Sequence, residues 1–160
     1  MWTVMPSPIG DLRLVERDAK ISVIEFSPFK QPADGRPLGA ECGDHPVLAE
    51  AVRQLQAYFN GDLTDFDLPL APRGTDFQQR VWVQLSSVGY GQTASYGEIA
   101  GRLGMTNAAS RAVGLANGRN PIPIVIPCHR VVGANGTLTG YAGGIERKQT
   151  LLELEQDAFF

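Results

Sequence analysis

The chain is short of residues that cross-link small folds or bind metals, since its 160 residues include only two cysteines and two histidines. Two cysteines cannot form a disulfide framework, so we expect a reducing compartment, the cytoplasm. Cys42 and His45 are spaced like half a zinc site, but the only other such residues are the adjacent pair Cys128 and His129. A closed zinc site needs four well-placed ligands. We therefore predict no metal and no other cofactor.

Long apolar runs are absent from the sequence as well. No stretch approaches the roughly 20 apolar residues that span a bilayer. The first residues also lack the basic and apolar regions of a secretory signal. Hydrophobic residues make up 43% of the chain and charged residues 19%, which is typical of a soluble globular protein. We therefore expect no membrane partner, and one compact unit or two small subdomains.

Net positive charge, the usual mark of a DNA-binding protein, is missing, because the formal net charge is −3. The charges are unevenly spread, however. Residues 1–72 carry 6 basic and 11 acidic side chains, whereas residues 77–148 carry 7 basic and 2 acidic ones. Local charge sets the attraction to a phosphate backbone. The C-terminal half is therefore a candidate for DNA binding, and the alternative that its arginines only solvate a surface stays open.

The N-terminal part has the patterns of a small α/β unit. Residues 9–15 and 21–26 alternate apolar and polar side chains, which predicts two strands, and residues 18–20 fit a hairpin turn between them. Proline, glycine and charged residues dominate 31–44, which indicates a loop. Apolar residues at helical spacing predict a helix over 45–60, ended by the glycine that follows.

A domain boundary is predicted near the middle of the chain. A short strand within 63–71 leads into a proline- and glycine-containing linker at 72–74. We therefore divide the chain into an N-terminal domain, 1–72, and a C-terminal domain, 73–160. Asp76 is expected to cap the first helix of the second domain.

Two further helices are predicted in the C-terminal domain. Ser95 and Glu98 fit a capping box, in which each side chain satisfies a free backbone donor of the other residue, and the helix runs to Gly104. Small residues over 108–117 predict the next helix. Two short helices around a glycine-containing turn match a helix-turn-helix, and an ordinary helical hairpin is the alternative.

The most informative segment is 120–130, where three prolines precede Cys128, His129 and Arg130. Proline fixes φ and cannot donate to a sheet ladder, so we predict a rigid, non-helical approach to the cysteine. Because nearby positive charge lowers the pKa of a thiol, the adjacent imidazole and guanidinium indicate a reactive thiolate. A buried cysteine that behaves as a small hydrophobe is the alternative.

Several motifs surround this segment in a fixed order. They are Ser95-Tyr96-Gly97, Arg111-Ala112-Val113-Gly114, Pro127-Cys128-His129-Arg130-Val131, Gly140-Tyr141-Ala142-Gly143-Gly144, and Lys148 with Leu151-Leu152. From about residue 73 to residue 155 the chain resembles the O6-alkylguanine-DNA alkyltransferases, also called methylated-DNA–protein-cysteine methyltransferases. The ordered set of motifs is specific, whereas a lone cysteine–histidine pair is not.

The resemblance implies a fold and an activity. The N-terminal domain would be a small ribonuclease-H-like α/β unit, and the C-terminal domain a mostly α, winged-helix-like unit with a helix-turn-helix. The activity would be direct reversal of DNA damage: the alkyl group of O6-alkylguanine, and of O4-alkylthymine, in flipped-out duplex DNA passes irreversibly to Cys128, once per protein molecule. The partner would be double-stranded DNA, bound by a protein that is monomeric when free and cooperative on DNA.

The resemblance also implies catalytic roles. Cys128 is the nucleophile, His129 is a base that acts through a water molecule, and Glu155 supports the histidine. Glu153 would lie on the opposite face of its helix, because residues two apart differ by about 200° around the axis. Asn120 braces the turn beneath the cysteine.

Five further residues are implied to bind the damaged base and the DNA. Tyr96 contacts the base and the adjacent phosphate, and Arg111 fills the gap that the extruded base leaves. Val131 offers its carbonyl to the exocyclic amine. Tyr141 and Ala142 line the guanine pocket, and the amide of Ala142 donates to O6.

Two departures from the family pattern and two alternative functions bear on this interpretation. Residues 88–91 lack a proline that many relatives have, and Asn117 stands at a pocket-wall position where some relatives carry an apolar residue. The first alternative is a regulator that binds alkylated bases without repairing them, although the presence of Cys128 argues against it. The second is a thiol hydrolase that uses Cys128 and His129 and turns over.

Overall fold

A computed structural model describes residues 1–32 and 35–157 of the chain. The chain divides into two compact units, Met1–Arg73 and the part from Gly74 onward. The division falls one residue after the boundary predicted from the linker. No helix in the described ranges is both long enough and apolar enough to cross a membrane.

The first unit is built on an antiparallel sheet in the order β1-β2-β3. Its strands are β1 (Trp2–Met5), β2 (Leu12–Arg17) and β3 (Lys20–Phe26). Asp18 and Ala19 join β2 to β3 with φ values of 54° and 61°, the backbone of a tight hairpin turn. The two predicted strands and their turn are confirmed. Strand β1 was not predicted, because four residues that end before a proline are too short to show an alternation.

Helix α1 (Pro46–Phe59) packs on this sheet. His45 caps its N-terminus, and Gly61, with a φ of 80°, follows its C-terminus, so the predicted helix is confirmed. The helix buries a stripe of side chains at helical spacing against the strands: Leu48, Ala51, Leu55 and Tyr58.

Two other predictions for this unit concern irregular segments. The described residues of 31–44 contain no helix or strand beyond a single bridge from Glu41 to Trp2, as expected for a loop. The strand predicted within 63–71 is wrong, since only Leu70 pairs, in a single bridge to Ile21. The prolines on either side of Leu70 and Ala71 cannot donate hydrogen bonds, so the ladder stops there.

The second unit opens with helix α2 (Asp76–Leu85), whose predicted cap is wrong by one residue. Thr75 is the cap: its Oγ1 accepts from the Gln78 amide at 3.1 Å, and Gln78 Oε1 accepts from the Thr75 amide at 2.9 Å. Asp76 also stands three residues before a glutamine, but it is already helical, whereas Thr75 has the extended backbone of a cap, with φ −67° and ψ 164°. Asp76 becomes the first helical residue, where its charge favours the positive end of the helix.

Two short helices come next. Helix α3 (Tyr96–Arg102) follows the two-residue strand β4 (Ala94–Ser95), and helix α4 (Ser110–Gly118) follows a short 3₁₀ turn, Asn107–Ala109. Half of the predicted capping box is present in the described chain, since Ser95 Oγ accepts from the Glu98 amide at 3.0 Å. The exposed Glu98 side chain does not return the bond.

The end of this unit brings several of the sequence motifs close together. Strand β5 (Val131–Val132) pairs in parallel with β4, with Val131 opposite Ala94 and Val132 opposite Ser95. Helix α5 (Ile145–Asp157) packs on the 3₁₀ turn Cys128–Arg130. The segments that carry Cys128 and Tyr96 are therefore neighbours in space.

Candidate active site

The segment before Cys128 is a tight turn that Asn120 braces from inside. Asn120 Oδ1 accepts from the Ile122 amide at 3.0 Å, and its Nδ2 donates to the Ile126 carbonyl at 2.8 Å. Ile124 has a φ of 74°, a strained conformation for a β-branched residue. Such strain persists only where the surroundings fix the backbone. The predicted non-helical approach to the cysteine is confirmed.

Cys128 begins the 3₁₀ turn and is 3% exposed. Burial raises the pKa of its thiol to about 11, because a thiolate loses its hydration there. Hydrogen bonding with Asn120, the charge of Lys148 and hydrogen bonding with Tyr141 all act in the opposite direction and are outweighed. The resting site therefore holds a neutral thiol.

The sequence interpretation that His129 and Arg130 lower the pKa of this thiol is wrong. Both side chains are directed at Glu155. Arg130 Nε and Nη2 donate to its two carboxylate oxygens at 2.9 and 3.0 Å. The guanidinium is thus neutralised by a buried carboxylate. Side chains of residues adjacent in sequence need not contact each other, so sequence position alone does not show which group a charged side chain contacts.

His129 and Glu155 form the second contact of this cluster, with Nε2 and Oε2 2.7 Å apart. Burial alone would raise the pKa of Glu155, but hydrogen bonds from His129 and Arg130 hold it at about 2. Burial lowers the pKa of His129, against the opposing influence of Glu155. The pair is therefore a neutral imidazole beside a carboxylate. Since the carboxylate can only accept, Nε2 carries the proton and Nδ1 keeps its lone pair.

The two candidate glutamates of α5 separate as helical geometry predicts. Glu155 is fully buried in the cluster. Glu153 is exposed and accepts from the Gln149 side chain at 3.0 Å, one turn away on the same helix. Only Glu155 contacts His129.

The sequence predictions miss the role of Lys148, because they name this residue only as part of a motif. It is fully buried, and its Nζ donates to the Val131 carbonyl at 2.5 Å and to the Thr139 carbonyl at 2.9 Å. Its charge favours the thiolate of Cys128. A signal was available: Lys148 and Glu155 share one helix face with the buried Leu151, at spacings of three and four residues.

Both units match models of one protein family. A model described as "6-O-methylguanine DNA methyltransferase, ribonuclease-like domain" matches residues 1–72. A second, described as "6-O-methylguanine DNA methyltransferase, DNA binding domain", matches residues 76–157. Together they cover nearly all of the chain. The chain belongs to the 6-O-methylguanine DNA methyltransferase family. The resemblance stated from the motifs is confirmed, and so are an N-terminal ribonuclease-like domain and a C-terminal DNA-binding domain.

Individual members of the methyltransferase family resemble the chain over almost its whole length. A methylated-DNA--protein-cysteine methyltransferase of Mycolicibacterium paratuberculosis is 51% identical over 156 residues, which cover 97% of this chain and 92% of the relative. The crystal structure of a Mycobacterium tuberculosis O6-methylguanine methyltransferase is 49% identical, with a TM-score of 0.88, and covers 98% of this chain and 93% of that one. A Mycobacterium tuberculosis structure in complex with DNA has the same identity and coverage and a TM-score of 0.85.

Within this methyltransferase fold, three of the predicted base-binding residues lie around the cysteine. Tyr96 is half-buried, and its hydroxyl lies 2.7 Å from Thr139 Oγ1. Tyr141 is buried, and its side chain acts to lower the pKa of the Cys128 thiol. The Val131 carbonyl receives the Lys148 ammonium, which leaves one of its two lone pairs for a ligand.

The other two predicted residues lie at the surface. Arg111 is exposed on α4 and Ala142 is exposed in the loop before α5. The Arg111 side chain has no hydrogen-bond or ion-pair partner among the described residues. In the described ranges, no three histidine, cysteine, aspartate or glutamate side chains are grouped so that they could hold a metal ion.

Proposed function

We propose that this chain repairs alkylated DNA by moving the alkyl group of O6-alkylguanine to the sulfur of Cys128. The observation that carries the proposal is a buried thiol followed by a neutral imidazole that a carboxylate holds in one tautomer, in a chain of this family. The product is a thioether, which has no easy leaving group, so each protein molecule acts once.

The raised pKa of Cys128 defines what the neighbouring groups must do. A thiol with a pKa of about 11 is almost entirely protonated near neutral pH, so its proton must leave as the sulfur attacks. His129 Nδ1 is the base, reached through a water molecule. Glu155 stabilises the imidazolium that forms, because the two groups already share a 2.7 Å contact.

The bond changes in this reaction balance without a cofactor. The sulfur–carbon bond forms as the bond between the alkyl carbon and O6 breaks, and the electron pair stays with the purine. The purine then takes up one proton and becomes guanine, still attached to the DNA. The proton lost by Cys128 is thus the proton gained by guanine, carried by His129.

Lys148 supports the attack electrically. Its ammonium has no carboxylate partner within the described residues, and its charge favours the Cys128 thiolate. Charge that develops on sulfur in a dry site is stabilised far more strongly than in water. Asn120 holds the turn that aims the sulfur.

The helix pair α3–α4 serves as a helix-turn-helix in a winged-helix-like domain, and its exposed face enters the minor groove. The face contains small residues beside Arg111, such as Ala108 and Ala112, and small side chains suit close approach to a narrow groove. O6 reacts only when the base leaves the stack, and Arg111 fills the gap. Arg111 has no hydrogen-bond or ion-pair partner among the described residues, which fits a side chain that is used on DNA.

The extruded base is held by side chains and backbone near Cys128. Tyr96 contacts the base and the adjacent phosphate. The Val131 carbonyl accepts from the exocyclic amine with its second lone pair, Tyr141 packs beside the thiol, and the Ala142 amide donates to O6. O4-alkylthymine presents a similar alkoxy group, so it is a second substrate of the same pocket.

The working form belongs to the same proposal and rests on the family resemblance. The protein acts on double-stranded DNA, is monomeric when free and binds DNA cooperatively. It works in the cytoplasm, where a reducing environment keeps Cys128 as a thiol.

Duplex DNA with one O6-methylguanine tests the proposal. With excess DNA, we expect each wild-type molecule to remove one methyl group and then stop, and a second addition of DNA should remove no more. The variant Cys128→Ser should remove none, whereas the matched control Cys42→Ser should match the wild type. Continued turnover supports a thiol hydrolase, and retention of modified DNA without methyl loss supports a regulator; either result contradicts the proposal.

A further inference from the structure

Two buried hydrogen-bond acceptors next to Cys128 have no partner among the described residues. They are Asn117 Oδ1 on α4 and His129 Nδ1 in the 3₁₀ turn. Asn117 is 2% exposed and His129 is fully buried. A buried acceptor without a partner costs about 1–3 kcal/mol, so two of them at one site need an explanation.

The direction of each acceptor is fixed by its other contact. Asn117 Nδ2 lies 3.4 Å from the Cys128 carbonyl oxygen. Exchanging the amide oxygen and nitrogen would set two oxygens against each other, so Oδ1 is the atom that stays open. Likewise, the Glu155 carboxylate fixes the proton on His129 Nε2 and leaves Nδ1 as an acceptor.

Both acceptors are tied to the residue that carries the thiol. Asn117 bonds to the carbonyl of Cys128, and His129 is joined to that same carbonyl through its peptide bond. The thiol is itself a hydrogen-bond donor. The site thus requires a small group that donates twice and accepts once. Water does both, and buried waters usually make about three hydrogen bonds.

We propose that Asn117 is a positioning residue for alkyl transfer, whose Oδ1 holds, together with His129 Nδ1, one water molecule that receives the Cys128 proton. The inference rests on the proposed function and deepens it. As sulfur attacks the alkyl carbon, the S–H bond breaks and the proton passes to the water. The water releases one of its own protons to His129 Nδ1 and is regenerated. Asn117 aims the water and neither gains nor loses a proton.

The role of Asn117 explains a departure from the family pattern. An apolar residue at this position would leave the water with a single side-chain anchor, His129. With an amide, the water has two anchors and one orientation, and its remaining lone pair faces the thiol. Orientation of a proton carrier is worth a measurable part of the 10²–10⁴-fold that general bases supply.

A high-resolution crystal structure of the free wild-type protein tests the geometry without any reaction. We expect an ordered water within hydrogen-bond distance of both Asn117 Oδ1 and His129 Nδ1. Direct bonding of these atoms to protein groups, or a site that holds no water, overturns the proposal. The outcome does not depend on whether the protein transfers alkyl groups, so it separates failure of this inference from failure of the proposed function.

Single-turnover methyl transfer tests the role of Asn117. We expect Asn117→Leu to slow transfer roughly tenfold or more. In a His129→Gln background, the same change should have little further effect, because both residues act on one water. Independent, multiplicative effects overturn the proposal. Equal slowing by Val113→Ala, which truncates a buried side chain of the same helix, also overturns it, since loosening of α4 would then explain the loss.

Discussion

Each unit of the protein contains a histidine paired with a glutamate. The two pairs differ in whether the second ring nitrogen of the imidazole also has a hydrogen-bond partner. In the first unit, His45 Nε2 lies 3.4 Å from Glu16 Oε2. In the second, His129 Nε2 lies 2.7 Å from Glu155 Oε2. His45 Nδ1 accepts from the Val47 amide at 3.1 Å and caps α1. His129 Nδ1 has no partner in the described chain.

The difference teaches that a histidine–carboxylate contact does not make a base. Both nitrogens of His45 are used to hold the N-terminal unit together, so it has no lone pair for chemistry. One ring nitrogen of His129 contacts Glu155, and the other keeps its lone pair. The two cysteines also differ in their surroundings. Cys42 is half-buried, whereas Cys128 is buried beside a lysine and two polar side chains that act to lower its pKa.

Replacing each histidine in turn is the strongest test of this difference between His45 and His129. We expect His129→Gln to slow single-turnover methyl transfer by about 10²–10⁴-fold, the usual contribution of a general base. His45→Gln, the matched control, should leave the rate within about twofold of the wild type, because His45 serves only the fold. Equal rates for the two variants would contradict the assignment of His129 as the base.

Removing the charge of Glu155 should have the largest effect on stability. Glu155→Gln leaves the buried Arg130 guanidinium uncompensated, which typically costs about 3–5 kcal/mol. Transfer should slow as well, since the imidazolium loses its counter-charge. The free energy of unfolding from urea denaturation measures the first effect, and Glu153→Gln, exposed on the same helix, is the control that should change it by less than about 0.5 kcal/mol.

The same variant has a pH signature. The pKa of Glu155 is lowered from 4.5 to about 2 in the folded protein, so its stabilising contribution is complete above about pH 4.5 and is lost as the pH falls towards 2. The stability of Glu155→Gln should therefore vary less with pH over this window than that of the wild type. An identical acid dependence would show that another group is responsible.

The charge of Lys148 should increase the reactivity of the Cys128 thiol, because it favours the thiolate. In a Cys42→Ser background, the rate of alkylation by iodoacetamide reports on Cys128 alone and should rise with pH until about 11, the pKa of the buried thiol. Near pH 7, Lys148→Met should slow this alkylation roughly tenfold, because a charge that favours the thiolate is removed. Melting temperatures show whether the variant is folded under the conditions of the assay.

The opposite result is equally specific. An alkylation rate near pH 7 that is the same in Lys148→Met and in the wild type would mean that the ammonium only bonds to the carbonyls of Val131 and Thr139. The raised pKa also has a consequence for stability. Because the thiol is better accommodated than the thiolate, the stabilising contribution is fully present below about pH 9 and is lost as the pH rises through about 11.

The smallest effect is expected at the cap of α1. His45→Ala removes the side-chain acceptor for the Val47 amide and should cost about 1 kcal/mol of unfolding free energy. His45→Asn, which offers another capping acceptor, should recover most of that loss. Methyl transfer should be unchanged in both. A loss of activity in His45→Ala without a loss of stability would contradict a purely structural role.

Sequence patterns predicted the parts of the fold that depend on long, regular repeats. Helix α1 and the β2–β3 hairpin fit because their apolar spacing and turn residues agree. Strand β1 and the irregular segment before Pro72 were missed or misassigned, because short segments show little periodicity and prolines interrupt pairing. The cap of α2 was misplaced because both Thr75 and Asp76 are good capping residues, and only the reciprocal bond to Gln78 decides between them.

The candidate site could be located from sequence but its electrostatics could not. Motif order placed Cys128, His129 and Glu155 in one site, and helical geometry favoured Glu155 over Glu153. The direction of the pKa shift of Cys128 was wrong, because it depends on burial and on where Arg130 points. That side chain meets a carboxylate 25 positions away along the chain, which no local pattern reveals.

The central claim is that Cys128, and no other residue, receives the alkyl group. The most direct measurement is the mass of every cysteine-containing peptide after the wild-type protein has reacted with duplex DNA that carries one O6-methylguanine. The account predicts the added mass of one methyl group on the Cys128 peptide and an unchanged Cys42 peptide. Repaired DNA together with a methyl group on Cys42, or on neither cysteine, would contradict it.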